Sequence, residues 1–159
     1  MLFIRALIAF LALPCVVAGL IPLLILRGNL QSGKTALYGI ALAAIGFALL
    51  VWCVRDFYVA GKGTLAPWDP PKRLVIVGLY QFVRNPMYIA VLTIVGGWSL
   101  TFGGVGLGLY LCILALGFHL RVLVYEEPRL RRQFPAEWKA YSDAVSRWLP
   151  HRRRMNRII

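Results

Sequence analysis

The chain has 159 residues and carries 18 lysines and arginines against 6 aspartates and glutamates, which gives a formal net charge of +12. Hydrophobic residues make up 60% of it, and its mean hydropathy is +0.71. This composition excludes an ordinary soluble domain and predicts an integral membrane protein.

Three long apolar stretches predict the helices, at residues 2–26, 35–54 and 87–124. A helix needs about 20 apolar residues to cross a hydrocarbon core, so the third stretch, interrupted by a glycine-rich turn at residues 102–106, holds two. We therefore expect an all-α polytopic membrane protein with about four transmembrane helices. The first is expected to be a retained helix, because its apolar run is longer than that of a signal peptide. Residues 1–71 would form two helices and a linker, and residues 72–159 the functional core.

The positive charges predict the orientation of these helices. Only Arg27 and Lys34 fall in the first loop, and the turn between the third and fourth helices has no lysine or arginine. The positive-inside rule therefore places both chain ends and the second loop in the cytoplasm, at the inner membrane if the source is bacterial. Because the remaining charge is mostly juxtamembrane, it indicates contact with membrane lipids and no nucleic-acid partner.

Residues 28–35 match the phosphate-binding loop pattern, from Gly28 to the closing Gly33-Lys34-Thr35. That chemistry requires a strand before the loop and an acidic strand end to hold magnesium. Here two apolar helices flank the loop, and the charge rule places it outside the cell. We predict a polar turn that binds no nucleotide. The scattered cysteines and histidines have no ligand spacing, so no metal site is predicted either.

Polar groups stand at both ends of the apolar hairpin, in residues 78–80, 84–88 and 126–130. Such groups are costly in lipid and by default mark a functional site. Asn85 precedes a proline, which disfavours helical backbone there, and irregular backbone at membrane depth is tolerated only beside protein or a cavity. The pattern predicts a cytoplasmic cofactor pocket between the two ends.

Glu126 and Glu127 follow each other on the last apolar helix. Adjacent helical residues diverge by about 100°, so we expect one to face the pocket and the other to pair with Arg84, Arg129 or Arg131. The equal alternative is two solvated carboxylates at a helix end. Pro128 is expected to kink or end the helix.

An aromatic stripe follows on a basic helix that Pro135 can begin. It consists of Phe134, Trp138, Tyr141, Val145 and Trp148. The stripe predicts an amphipathic helix lying in the membrane interface, with an aromatic lid over the pocket as the alternative.

The polar segments at residues 78–80, 84–88 and 126–130 are followed by the aromatic stripe. Taken in this order, these motifs within residues 72–150 resemble the isoprenylcysteine carboxyl methyltransferases and their phospholipid-methyltransferase relatives. The resemblance implies transfer of a methyl group from S-adenosylmethionine, bound on the cytoplasmic side, to a lipophilic substrate that enters from the bilayer. Position by position, it implies cofactor contacts at Lys72, Arg73, Leu74, Val75, Tyr80, Asn85, Pro86, Tyr88 and Glu126. Arg84 and Glu126 are the candidate catalytic residues.

Two departures from the family pattern concern the substrate. Family members often have histidine where Asn85 stands, and asparagine carries no proton near neutral pH. This favours a carboxylate or another acceptor that is already ionised. The family's substrate-binding arginine stands one turn before the glutamate, where this chain has Val122, which argues against a prenylated protein substrate. The preceding Arg121 is the candidate substrate residue.

Two alternatives come from other functional classes. Membrane sterol reductases, which use NADPH, share a motif of the type Arg-x-His-Pro-Asn-Tyr, where x is any residue, but Met87 replaces its asparagine. A non-catalytic membrane protein would use the same polar groups for packing and lipid anchoring.

Overall fold

The computed structural model describes residues 14–28, 30–61 and 74–150. Its helices are α1 (Val16–Leu26), α2 (Ala36–Gly61), α3 (Pro86–Phe102), α4 (Val105–Gln133) and α5 (Pro135–Ala144), and a 3-10 turn (Gly78–Gln81) precedes α3. The described part of the chain contains no strand, only an isolated bridge between Val83 and Ser146. The all-α prediction is confirmed.

Within the described part of the chain, two helices are long and apolar enough to cross a membrane: α2 over Ala36–Asp56 and α4 over Val105–Gln133. The apolar helices α1 and α3 are shorter, and the 17 residues of α3 fall below the usual length of about 20. The turn predicted between α3 and α4 is present at Gly103 and Gly104. Both have positive φ, at 70° and 91°, a conformation that glycine adopts without steric cost.

Helices α2 and α3 pack antiparallel through small residues. A Cβ atom on Gly39 would lie 2.6 Å from the Gly97 carbonyl oxygen, and one on Gly46 would lie 2.9 Å from the Ala90 carbonyl oxygen. Close approach of this kind is how helices associate in lipid, where dispersion contacts replace the hydrophobic effect. The pair therefore brings the end of α2 beside the start of α3.

A π-helical turn occurs in α1 (Val16–Leu20) and another in α4 (Val122–Glu126). Each ends two residues before a proline, Pro22 or Pro128. Because proline lacks an N–H and clashes with the carbonyl four residues earlier, a wider turn at that place accommodates it. Of the two effects expected of Pro128, ending the helix does not occur, because α4 continues to Gln133; the kink stays a prediction.

The residues that resemble a phosphate-binding loop cap the end of α3. The Gly33 N–H donates to the Thr101 carbonyl at 2.9 Å, and the Thr35 hydroxyl donates to the Leu100 carbonyl at 2.6 Å. Carbonyls in the last turn of a helix lack partners within the helix. The polar turn predicted here therefore supplies hydrogen-bond donors to the carbonyls that end α3.

Helix α5 begins at Pro135, as predicted, and protein covers three of the five residues of its stripe. Trp138, Tyr141 and Val145 are buried and form one cluster. Their partly buried neighbours include Leu74 and Leu130. The segment before α3 offers the apolar surface that these three residues cover; the place of α5 in the membrane interface stays a prediction.

Candidate functional site

The site lies where α2 ends, α3 begins and α4 makes its π-helical turn. Tyr88 on α3 donates its hydroxyl hydrogen to Oε1 of Glu126 on α4. Arg121 donates from Nε to the same oxygen at 2.9 Å. The Tyr88 ring stacks on Phe118 with 4.3 Å between centroids. We call Tyr88, Arg121 and Glu126 the Glu126 triad. In it, donors on two helices, α3 and α4, bind the Glu126 carboxylate.

The π-helical turn creates this triad. In an α-helix, residues five apart point about 140° away from each other, whereas a π-helical turn pairs residues i and i+5. Arg121 and Glu126 therefore share a face, and Val122 is buried. The departure from the family pattern described above, with Val122 one turn before Glu126, assumed α-helical spacing; in the structure Arg121 is the residue that contacts Glu126.

Glu127 faces a different set of partners, which we call the Glu127 cluster. Arg147 donates to its two oxygens at 2.7 and 2.8 Å, and Arg84 Nη1 lies 3.1 Å from Oε1. Arg84 also lies over the Trp138 ring at 5.5 Å. The predicted pairing of one glutamate with Arg84 is confirmed.

The pKa values of the two arginines in the Glu127 cluster shift in opposite directions. Burial lowers the pKa of Arg84, while the Glu127 carboxylate opposes that effect. Hydrogen bonds to Glu127 raise the pKa of Arg147. Both stay charged at neutral pH, because an arginine side chain is effectively always protonated in proteins. The cluster thus presents Arg84, a candidate catalytic residue, as a guanidinium held between a carboxylate and an aromatic ring.

Residues 145–148 connect the segment before α3 with α4 through hydrogen bonds. The Asn85 side-chain amide donates to the Arg147 carbonyl at 3.2 Å, and the Trp148 indole N–H donates to Nδ1 of His119 at 3.1 Å. Asn85 has the non-helical backbone predicted for it, with φ −124° and ψ 52°. Its side-chain N–H group is therefore used within the fold.

Tyr80 is buried at the centre of the site, and its carbonyl accepts a hydrogen bond from the Tyr141 hydroxyl at 2.7 Å. Burial raises the pKa of Tyr80 well above its usual value, and the nearby groups that add to this effect include the carboxylates of Asp56 and Glu126. Tyr80 therefore stays protonated near neutral pH, and its hydroxyl lies within electrostatic reach of carboxylates from two helices.

The structure also places the other residues predicted to bind cofactor. Val75 is buried in a cluster with Tyr80, and Pro86 is the buried first residue of α3. Leu74 packs instead against the aromatic stripe of α5. Lys72 and Arg73 lie outside the described residues.

Asp56, at the end of the apolar part of α2, was missed by the sequence analysis. It is only 9% exposed, and its Oδ2 atom has no hydrogen-bond partner within the described part of the chain. A Cβ atom on Gly78 would lie 1.8 Å from that oxygen, so this close approach requires glycine. The signal was available, because an acidic residue closing a long apolar run is a functional candidate by default.

The family model described as phospholipid methyltransferase matches residues 35–137. That range contains Asp56, Tyr80, the Glu126 triad and Glu127. No curated protein and no solved structure matches the chain significantly.

Proposed function

Since this chain belongs to the phospholipid methyltransferase family, we propose that it transfers a methyl group from S-adenosylmethionine to a lipophilic acceptor in the membrane. The family supplies the class of reaction. The apolar helices α2 and α4 support a location in the membrane. We further propose four membrane helices with both chain ends and the site on the cytoplasmic side, as the placement of lysine and arginine indicates.

The Glu126 triad is the observation that carries this proposal. Its carboxylate lies inside the range that matches the family, and two donors from different helices fix its position. The Glu126 side chain is nevertheless 29% exposed, which leaves it accessible to a ligand. A π-helical turn inside an α-helix is itself frequent at functional sites.

The residues at this site fit a cationic cofactor. When bound, S-adenosylmethionine supplies a methyl group on a positively charged sulfur, which a nucleophile takes by in-line displacement. Asp56 and Glu126 provide negative charge near the buried Tyr80, and Asp56 has an oxygen that lacks a hydrogen-bond donor among the described residues. In the proposal, Glu126 holds the ammonium group and Asn85 accepts a hydrogen bond through its side-chain oxygen.

The chain's part in the reaction is then alignment and exclusion of water. Tyr80 and Val75 provide the buried apolar wall against which a flat or apolar ligand part would pack. Neither Tyr80 nor Asn85 takes up a proton near neutral pH, since one is already protonated and the other does not titrate. The site is therefore suited to an acceptor that arrives ionised.

Arg121 supports a carboxylate or similar acidic acceptor. Its guanidinium lies on the same face of α4 as Glu126, and its side chain is about half exposed. A fixed guanidinium matches the geometry of a carboxylate. We propose that Arg121 pairs with the acidic group of the acceptor.

The experiment measures S-adenosylhomocysteine binding and methyl transfer by the purified full-length protein in detergent. Lipid extract and labelled S-adenosylmethionine are expected to give a labelled lipid with the wild-type chain. Glu126→Gln is expected to lower S-adenosylhomocysteine affinity by about 10- to 100-fold, because a hydrogen bond to a charged group is lost. Glu137→Gln, at an exposed glutamate on α5, is the matched control and should behave as wild type.

Three outcomes would contradict the proposal. Wild-type protein that binds no S-adenosylhomocysteine and labels no lipid would favour a non-catalytic membrane protein. Binding of NADPH in its place would favour a reductase. An equal loss of affinity in Glu126→Gln and Glu137→Gln would remove the role given to Glu126.

A further inference from the structure

A groove with an excess of positive charge runs along the end of α4, on the part of the helix that follows the π-helical turn. Its volume is about 450 Å³, and it is lined by Val124, Tyr125, Pro128, Arg129, Arg132 and Gln133. The residues assigned to methyl transfer do not line it. We propose that this groove binds the headgroup phosphate of an anionic glycerophospholipid from the surrounding bilayer.

Tyr125 organises the cations beside the groove. The guanidinium carbon of Arg121 lies 5.9 Å from the Tyr125 ring centroid and that of Arg129 lies 5.8 Å from it. Arg129 also donates from Nη1 to the Tyr125 hydroxyl at 2.9 Å. One aromatic ring thus holds two guanidinium groups near each other; since Glu126 already pairs with Arg121, the charge open to a phosphate beside this ring is that of Arg129.

Among the described residues, no carboxylate neutralises the charge of the groove. Glu126 pairs with Arg121, and Glu127 pairs with Arg84 and Arg147. No carboxylate among residues 14–28, 30–61 and 74–150 forms a salt bridge with Arg129 or Arg132. The remaining donors suit a phosphate, which guanidinium groups bind through paired hydrogen bonds.

The position of the groove along α4 matches the headgroup layer of a bilayer. An α-helix rises about 1.5 Å per residue, so 20 residues starting at Val105 cover about 30 Å, the thickness of a hydrocarbon core. Tyr125 and the arginines follow directly after that length. The apolar wall faces outwards as well, since Val124 is 75% exposed. A lipid therefore fits both the charged and the apolar part of the groove, with its phosphate at the arginines and its acyl chain against Val124.

An anionic lipid is favoured over a zwitterionic one on charge. A headgroup that carries its own cation would bring that cation close to Arg129 and Arg132. A free phosphate ion offers the same hydrogen-bonding chemistry but has no apolar part to contact Val124. The inference does not depend on methyl transfer, because it concerns lipid binding alone.

The test measures lipid binding to the full-length protein in detergent by native mass spectrometry, with phosphatidylglycerol, phosphatidylcholine and inorganic phosphate as probes. We expect the wild-type protein to prefer phosphatidylglycerol to phosphatidylcholine by about tenfold. The double variant Arg129→Gln with Arg132→Gln should lose that preference. Arg131→Gln is the matched control, because it removes an exposed arginine of the same helix that does not line the groove.

Folding of each variant is checked by its helical circular dichroism and its elution from size-exclusion chromatography. Equal loss of phosphatidylglycerol binding in Arg131→Gln and in the double variant would overturn the site, because it would show a diffuse charge effect. Equal binding of both lipids by the wild type would overturn it too. Displacement of the lipid by inorganic phosphate at the same concentration would show a free-phosphate site and overturn the lipid assignment.

Discussion

Glu126 and Glu127 are neighbours in the chain, yet their carboxylates differ in their hydrogen-bond partners and in their exposure. Glu127 accepts hydrogen bonds on both oxygens from Arg147 and also pairs with Arg84, and its side chain is 17% exposed. Glu126 accepts from Tyr88 and Arg121 on a single oxygen and is more open, at 29%. The difference follows from the roughly 100° between adjacent helical positions. A carboxylate enclosed by cations holds a fold together, whereas one fixed at a single oxygen can still receive a ligand.

Glu127→Gln should cause the largest loss of stability. The amide keeps the size of the side chain but leaves Arg84 and Arg147 without a counter-charge. Breaking a buried pair in this way costs about 3 kcal/mol, reduced here because Arg147 is partly exposed, so we expect about 2–3 kcal/mol. The free energy of unfolding is measured by denaturant titration in detergent micelles.

Two further variants make that result interpretable. Glu137→Gln removes an exposed carboxylate and should change stability by less than about 0.5 kcal/mol. Adding Arg147→Gln to Glu127→Gln removes one unpaired cation and should restore part of the loss. If Glu127→Gln is as stable as Glu137→Gln, the Glu127 cluster does not stabilise the fold.

Much of the fold could be predicted from the sequence because it depends on composition and on local rules. Apolar length indicated the helices, paired glycines indicated the turn before α4, and Pro135 indicated the start of α5. The divergence of Glu126 and Glu127 followed from helical geometry alone. Each of these inferences uses a few consecutive residues.

The remainder depends on contacts between distant parts of the chain or on a departure from ideal geometry. Arg121 joins Glu126 only because of the π-helical turn, and an α-helical period hides that relation. The stripe of α5 has the same pattern whether lipid or protein covers it, and the structure shows protein on Trp138 and Tyr141. The sequence could mark Asp56 as an acidic residue that closes an apolar run, but its contact with the Gly78 backbone, 22 positions later, is visible only in the structure.

Tyr141→Phe should cause the next largest effect, and its effect depends on pH. The hydroxyl donates to the Tyr80 carbonyl at 2.7 Å, and leaving that buried acceptor unpaired costs about 1–2 kcal/mol. Burial raises the pKa of Tyr141 above its usual value. The folded protein therefore keeps this proton at pH values where the unfolded chain releases it.

The sign of the pH effect follows from that difference. Because the folded pKa is the higher one, the contribution of Tyr141 is complete below about pH 10, the usual pKa of tyrosine, and declines as the pH rises further. Phenylalanine does not titrate, so the stability gap between wild type and Tyr141→Phe should narrow between about pH 8 and about pH 10.5. Thermal unfolding at both pH values measures it. A gap that widens with pH would show that Tyr141 does not retain its proton on folding.

Tyr88→Phe should have the smallest effect on stability, and it tests the surroundings of Glu126, the more exposed of the two glutamates. The variant keeps the ring that stacks on Phe118 and removes the hydrogen bond to Glu126. Arg121 still holds the carboxylate, and water can reach it, so stability should change by less than about 1 kcal/mol. If Glu126 binds the cofactor, a less firmly positioned carboxylate should lower S-adenosylhomocysteine affinity by about threefold to tenfold.

Tyr110→Phe is the matched control for that measurement. It also removes one tyrosine hydroxyl, whose hydrogen bond reaches the Val17 carbonyl on α1 at 2.8 Å, away from the site. Titration calorimetry with S-adenosylhomocysteine should therefore show weaker binding in Tyr88→Phe and unchanged binding in Tyr110→Phe. Equal affinities in both variants, alongside a loss in Glu126→Gln, would mean that Arg121 alone positions the carboxylate. The triad would then reduce to an ion pair within α4, and α3 would contribute packing but no polar contact to the site.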